Sequence, residues 1–251
     1  MLLRPTLIAL SLSIGLSGCI INVNSATAAP KIHEHKSLIL DSGSINELVA
    51  RTGAGELHIT GVEDQTQIML EADIYTYEGL APTLTLLQRG NQAELVAEFD
   101  TSVNFNRSPY IDIKLTVPAQ MMLDINDGSG DMSISGTRAG IKLVDGSGDI
   151  NIEGGAKLNI DDGSGDILIS NTQGGITLED GSGAVNLSNI QGDVSIEDGS
   201  GELTVRHVQG LVSIDDGSGD INVTDTQGLT IIEAGSGDLR FDNINGPVSM
   251  K

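Results

Sequence analysis

The sequence predicts an all-β protein: a parallel β-solenoid, of the β-helix or β-roll type, with 18-residue rungs of two strands each and an irregular β-rich cap on its N-terminal side. Three observations predict this fold. A four-residue motif recurs at a nearly constant interval through the second half of the chain, and apolar residues alternate with polar ones after each copy. The 32 glycines among 251 residues also disfavour helices.

The repeated motif is Asp-Gly-Ser-Gly. It begins at Asp127, Asp145, Asp162, Asp180, Asp198 and Asp216, and the seventh copy is Ala234-Gly235-Ser236-Gly237. The intervals are 18 residues, except for one of 17, which indicates a solenoid whose units stack in register. Gly-Ser-Gly suits a backbone that turns sharply and adopts positive φ. We therefore predict seven rungs over 127–251.

Two strands are predicted in each unit. The first has two apolar positions separated by one residue, which is polar in every unit but the third: Met132 and Ile134, Ile150 and Ile152, Ile167 and Ile169, Val185 and Leu187, Leu203 and Val205, Ile221 and Val223, Leu239 and Phe241. The second strand ends at Leu143, Ile160, Leu178, Ile196, Ile214, Ile232 and Met250. Period-two alternation predicts strands with one buried face, and stacked units bury that face as ladders.

The region 37–126 is β-like without a strict period, and we predict that it caps the solenoid. Residues 53–59 resemble a degenerate first rung, and strands are predicted over 67–77, 83–87, 93–99 and 110–117. Arg89-Gly90-Asn91 suits a hairpin turn between the second and third of these strands. Five of the six aromatic residues lie in this region, which is consistent with a more globular end.

The N-terminus has the pattern of a signal peptide. Arg4 precedes a short apolar run from Thr6 to Leu16. The next residues, Leu16-Ser17-Gly18-Cys19, resemble the bacterial lipobox, in which cleavage occurs before a lipid-modified cysteine. The resemblance implies a lipoprotein signal peptide over 1–18, lipid attachment at Cys19 with three acyl chains such as palmitate, and a polar tether over 19–36. The alternative is ordinary cleavage after Ala26-Thr27-Ala28.

The residues that follow the lipobox bear on localisation and include two of the four histidines. Ile20 follows the cysteine, where an Asp would mark retention in the inner membrane, so the resemblance to Gram-negative lipoproteins implies an outer-membrane protein. His33 and His35 flank Glu34 and could share a metal ion, but a solvated linker is the better interpretation. His58 and His207 are isolated in the sequence.

The composition excludes several classes of protein. Thirteen Lys and Arg face 35 Asp and Glu, a net charge of -22, so no nucleic-acid partner is predicted. One cysteine cannot form a disulfide framework. Aromatic residues are 2% of the chain and the acids recur with the repeat, so no catalytic pair stands out. We therefore predict a protein that is not an enzyme and has no catalytic residues; a polysaccharide-active β-helix enzyme is the weaker alternative.

Stacked units would align the acids in columns along one edge. The first column is Asp127, Asp145, Asp162, Asp180, Asp198 and Asp216; the second is Asp131, Asp149, Asp166, Glu202, Asp220 and Asp238; the third is Asp161, Glu179, Glu197, Asp215 and Glu233. Carboxylates about 4.8 Å apart repel unless they are solvated or neutralised. The candidate Ca²⁺ ligands are Asp127, Asp131, Asp145, Asp149, Asp162, Asp166, Asp180, Asp198, Asp216 and Asp220. The favoured alternative needs no cofactor: Asp caps each turn, and the charge keeps a β-rod soluble.

The run of residues 110–118, followed by the repeated G-S-G-D-I-x-I, resembles the bacterial putative-adhesin family of β-solenoid domains, over about 37–251. The resemblance implies a non-enzymatic cell-envelope protein and transfers no catalytic residue. We therefore expect a lipid-anchored scaffold or adhesin-like binding module with a protein or cell-surface partner. A calcium-binding acidic β-roll is the alternative. Val248 and Met250 end the ladder, so self-association through an open C-terminal rung is also expected.

Overall fold

The computed structural model describes residues 32–100 and 108–251, and the described part of the chain is built from strands and turns, with no helix. The predicted parallel β-solenoid is confirmed. Two 11-stranded sheets face each other and enclose one continuous apolar core. Each rung contributes one strand to each sheet.

Sheet A consists of β1 (Ile32–Asp41), β4 (Gln67–Thr76), β7 (Tyr110–Pro118), β3 (Leu57–Val62), β9 (Met132–Thr137), β11 (Ile150–Gly154), β13 (Ile167–Ser170), β15 (Val185–Ile190), β17 (Leu203–Val208), β19 (Ile221–Thr226) and β21 (Leu239–Ile244), in that spatial order. Sheet B consists, in spatial order from the same end, of β5 (Thr83–Arg89), β6 (Gln92–Glu98), β2 (Glu47–Thr52), β8 (Met122–Asn126), β10 (Ile141–Asp145), β12 (Leu158–Asp162), β14 (Ile176–Asp180), β16 (Val194–Asp198), β18 (Val212–Asp216), β20 (Leu229–Glu233) and β22 (Val248–Met250).

The solenoid strands pair in parallel and in register. Within each sheet, Ile167 aligns with Val185, for example, and Leu178 with Ile196. Twelve of the fourteen apolar positions predicted for the first strand of each unit are buried, and the other two belong to the last rung. One prediction for the second strand is wrong: Ile231, and not Ile232, enters the core, because Ile231 pairs with Ile214 and the register shift that follows leaves Ile232 as the extra residue.

The cap extends the same two sheets. The predicted degenerate rung is confirmed, because β2 and β3 pair in parallel with β8 and β9 of the first full rung. β6 and β7 also pair in parallel with this rung, and only beyond them does the pairing become antiparallel: β4 lies between β1 and β7, and β5 and β6 form the predicted hairpin, with Gly90 at φ 65° in its turn. Strand β1 begins at Ile32, inside the segment 19–36 expected to be a tether, because it finds a ten-residue partner in β4.

Candidate functional site

The turns that lead from sheet B to sheet A form what we call the acidic edge, which contains the Asp-Gly-Ser-Gly motifs and their flanking acids. Here backbone packs directly on backbone. The N–H of Gly148 donates to the carbonyl oxygen of Ser164 on the next rung, at 3.0 Å. Gly165 has a φ of 145°, and a Cβ built there would lie 1.9 Å from the carbonyl oxygen of Gly148. This position therefore requires glycine.

The first acid column is not on the solvated rim where the sequence analysis placed it. All six residues are buried, and Asp162, for example, is 3% exposed: Asp127, Asp145, Asp162, Asp180, Asp198 and Asp216. The correction has a simple cause. In β12 the buried positions are Leu158, Ile160 and Asp162, so the alternation of the strand continues onto the aspartate and turns it inward.

Three of the buried aspartates cap their turns, which is the role that the sequence analysis favoured for the column. The Oδ1 atoms of Asp180, Asp198 and Asp216 accept the backbone N–H two residues later, at 3.1 to 3.2 Å. The hydroxyl of Thr52, in the degenerate rung, donates a hydrogen bond to Oδ1 of Asp127. The second oxygen of each carboxyl has no partner among the described residues, and in Asp145 and Asp162 neither side-chain oxygen has one.

Burial and stacking favour the neutral form of these carboxyls. Burial, followed by repulsion from Asp145 and Asp180 on the adjacent rungs, raises the pKa of Asp162 to about 7. Burial raises the pKa of Asp127 to about 6 and that of Asp198 to about 6, with like-charged neighbours adding to the effect. The pKa values of the other three members are also raised, chiefly by burial.

The second acid column is exposed and bonds from rung to rung. The Oδ1 atom of Asp131 accepts the backbone N–H of Asp149 at 3.2 Å, and Asp149 in turn accepts the N–H of Asp166 at 3.0 Å. Asp166 and Asp220 repeat this contact on later rungs. Each of these bonds satisfies a backbone donor of the next rung and places the carboxylate in water, which reduces the cost of stacking like charges.

The ten candidate calcium ligands therefore divide into two groups. Those of the first column point into the core, and Asp131, Asp149, Asp166 and Asp220 of the second point to solvent. Within the described residues, no three His, Cys, Asp or Glu side chains converge as a metal site would require. The third column does meet the first at a shallow depression of about 470 Å³, lined by Asp161, Glu179, Glu197, Asp215 and by Asp162, Asp180 and Asp198.

The opposite turns, from sheet A to sheet B, form what we call the amide edge, and the sequence analysis did not assign it a site. Its corner residues have left-handed backbones, with φ between 52° and 60°: Asn171, Asn189, His207, Asp225 and Asn243. Gly136 and Gly154 have positive φ at the corresponding corners of earlier rungs. The recurring pattern of Asn, Asp or His before x-Gln-Gly was a signal for this corner, since Asn and Asp tolerate left-handed φ best after glycine.

A second column lies two residues beyond these corners: Gln173, Gln191, Gln209 and Gln227. Between the two columns runs a groove of about 360 Å³, and Val208 contributes to its lining. The corner residues bond partly to one another. Asn189 donates to Asn171 at 3.2 Å, and His207 lies 3.3 Å from the carboxylate of Asp225. The edge thus presents amides where the other presents carboxylates.

The remaining histidines lie on the outer face of sheet A in the cap. His33 and His35 both hydrogen-bond to Oδ1 of Asp73, at 2.9 and 3.1 Å, so they belong to a paired strand and not to a free linker. The ring of His33 stacks on Tyr75, which stacks on Tyr110, each with centroids 4.5 Å apart. His58 lies 2.6 Å from the hydroxyl of Ser133 and 3.1 Å from Glu56. Sequence spacing could not show these contacts between distant strands.

These features define a repeat β-solenoid with polar columns along both edges. The chain matches the family described as Toastrack DUF4097 over residues 37–189 and 81–245, and it belongs to that family. No curated protein matches it.

Solved structures are similar to the chain at low sequence identity. A putative lipid binding protein from Parabacteroides distasonis is 18% identical with a TM-score of 0.52, covering 86% of this chain and 96% of its own. A putative adhesin from Bacteroides fragilis is 15% identical with a TM-score of 0.45, covering 87% and 97%. A putative cell adhesion protein from Clostridium sporogenes is 12% identical with a TM-score of 0.32, covering 88% and 99%.

The predicted lipid attachment site, Cys19, lies outside the described residues, as do the signal peptide and most of the tether. Within 32–100 and 108–251, the structure has no helix of the length and apolar character needed to span a membrane. The membrane anchor therefore rests on the sequence alone.

Proposed function

We propose that this protein is a lipid-anchored protein of the outer membrane whose solenoid acts as a non-catalytic, adhesin-like binding module. The observation that carries the proposal is the repetition of exposed polar side chains along the solenoid. The exposed polar side chains recur from rung to rung in columns, so the same chemistry extends along the rod, as suits contact with a partner surface. A catalytic site instead needs a singular pair of groups held against one substrate. The anchor follows from Cys19 and its flanking residues.

The anchor is tested by mass spectrometry and membrane fractionation of cells that produce the full chain. We expect the mature N-terminus to be a lipid-modified Cys19, found with the outer-membrane fraction, and we expect Cys19→Ala to lose both properties. A mature chain that begins at Ala29 without lipid would establish ordinary signal-peptide cleavage and would contradict the anchor.

Calcium binding at the acidic edge is a second candidate. It is favoured by the depression that exposed Glu179 and Glu197 line together with Asp180 and Asp198. A cation there would be bound by few carboxylates together with water. Calcium should then raise the thermal midpoint of the detergent-solubilised protein more than magnesium does, and Glu179→Gln with Glu197→Gln should reduce the difference. Equal midpoints in the two cations would leave the acids as turn caps and solubilising charges.

We also propose that the last described rung mediates self-association. Phe241 and Met250, at ladder positions that are buried in earlier rungs, are 41% and 56% exposed. Strands β21 and β22 are edge strands of the two sheets, so among the residues that the structure describes one side of each has no paired strand. Light scattering after gel filtration should show a mass that rises with concentration, and Phe241→Lys should abolish the rise. A constant monomer mass at high concentration would refute this proposal.

A further inference from the structure

The groove of the amide edge combines a rigid backbone with unused hydrogen-bonding groups. Across four rungs, the backbone N–H of each glutamine donates to a carbonyl of the preceding rung, at 2.8 to 3.2 Å. The side chains of Gln173, Gln191, Gln209 and Gln227 are exposed and form no hydrogen bond with any residue that the structure describes. Each can donate two hydrogen bonds and accept others at its oxygen.

On the opposite wall of the groove, some of the hydrogen-bonding groups pair with one another. The amide of Asn189 donates to Asn171, and the His207 ring pairs with Asp225, so these groups are fixed in position. Their remaining donors and acceptors face the same groove as the glutamines. A ligand bound there could contact fixed groups on one side and adaptable amides on the other.

The chemistry of the groove selects the class of ligand. The protein has a net charge of -22, and no Lys or Arg lines the groove, so an anionic polymer would be repelled. Val208 is the single aliphatic side chain in the lining, which leaves no pocket for the apolar side chains of a peptide. A hydroxyl group both donates and accepts hydrogen bonds, as the amides do. Four rungs about 4.8 Å apart place the glutamines along about 14 Å, which suits an extended chain of repeating units.

We propose that this groove binds a neutral glycan chain lying parallel to the solenoid axis. The inference rests on the proposed binding function and names the ligand class of the amide edge. Aromatic residues, which often stack on sugars, are absent from the lining. Recognition would therefore come from repeated hydrogen bonds, and affinity would increase with the number of sugar units that span the rungs.

The test measures binding of detergent-solubilised full-length protein to immobilised neutral gluco- and galacto-oligosaccharides of increasing length. Uronic-acid oligosaccharides and a neutral polar peptide are the competing ligands. We expect the longer neutral oligosaccharides to bind, and we expect Gln191→Ala with Gln209→Ala to weaken binding about tenfold. The matched control is Asn151→Ala with Asn222→Ala, which removes two exposed amides from the outer face of sheet A and should leave binding unchanged.

Failure to bind any neutral oligosaccharide would overturn the inference. So would binding that the glutamine variant does not weaken, or stronger binding of the uronic acids or the peptide. Thermal melts of both variants establish that each is folded. Membrane fractionation and mass spectrometry at Cys19 are independent of glycan binding, so they distinguish a wrong ligand class from a wrong envelope assignment.

Discussion

At both edges of the solenoid the chain passes from one sheet to the other, but different residues form the two kinds of turn. On the acidic edge, backbone packs on backbone, and the last glycine of each motif has no room for a side chain. On the amide edge, the left-handed corner is occupied by Asn, His or Asp, whose side chains extend outward. Stacking therefore constrains the acidic edge at its last motif glycine and the amide edge at the glycine after each glutamine, such as Gly174, whereas the exposed corner side chains of the amide edge can change without disturbing the rungs.

The same contrast extends to charge. The acidic edge turns one column of carboxyls into the core and directs another to solvent, where it bonds to backbone N–H groups. The amide edge has uncharged side chains at most of its exposed positions. We infer that the acidic edge mainly shapes and solubilises the rod, and that the amide edge is the better surface for recognition.

The largest expected effect comes from adding a methyl group to the acidic edge. Gly165→Ala should destabilise the protein by about 4 kcal/mol, because the new Cβ would collide with the carbonyl oxygen of Gly148 at a φ of 145°. Urea denaturation followed by circular dichroism measures the change. The acidic edge would not be constrained as described if Gly165→Ala were tolerated as well as a substitution at the Asn189 corner.

The second expected effect is a dependence of stability on pH that originates at the acidic edge. The pKa of Asp162 is raised to about 7, so the folded protein binds more protons than the unfolded chain between about pH 4 and 7. Its stabilising contribution is therefore present at low pH and is lost as the pH rises through 7. We expect the free energy of unfolding to fall by about 2 to 4 kcal/mol between pH 5 and pH 8.

The control for this effect is the adjacent exposed residue. Asp162→Asn removes one titrating group of the buried column and should reduce the pH dependence, whereas Asp161→Asn, one residue earlier on the solvent side, should leave it unchanged. Stability that rises from pH 5 to pH 8 in the unsubstituted protein would contradict the buried column as its source.

A smaller effect is expected at the corner of the amide edge. Asn189 has a φ of 58°, so Asn189→Ala should cost about 1 kcal/mol, because alanine tolerates the left-handed region less well than asparagine does. Asn189→Gly relieves that penalty and loses only the hydrogen bond to Asn171, so its stability should be close to that of the unsubstituted protein. Urea midpoints in which Gly is worse than Ala would refute the conformational explanation.

The sequence predicted the architecture because every unit repeats the same alternation of apolar and polar residues. Alternation at Ile167 and Ile169, and at the equivalent positions of the other rungs, was enough to assign the strands and the core. It also contained the inward direction of Asp162, which was missed because a charged residue was assumed to face water. The pairing of His33 with Asp73 could not be found, since it depends on an antiparallel strand 40 residues away. The groove likewise exists only once the rungs have stacked.

The smallest expected effect is the one that best separates stability from function. Gln191→Ala with Gln209→Ala should change the free energy of unfolding by less than about 0.5 kcal/mol, because these side chains are exposed and bond to nothing in the described structure. Urea denaturation provides the measurement. A loss comparable to that of Asn189→Ala would mean that the glutamines support the stacking of the rungs. If stability is unchanged, the fold does not require the regularly spaced glutamines. A ligand bound along the groove would then explain their spacing.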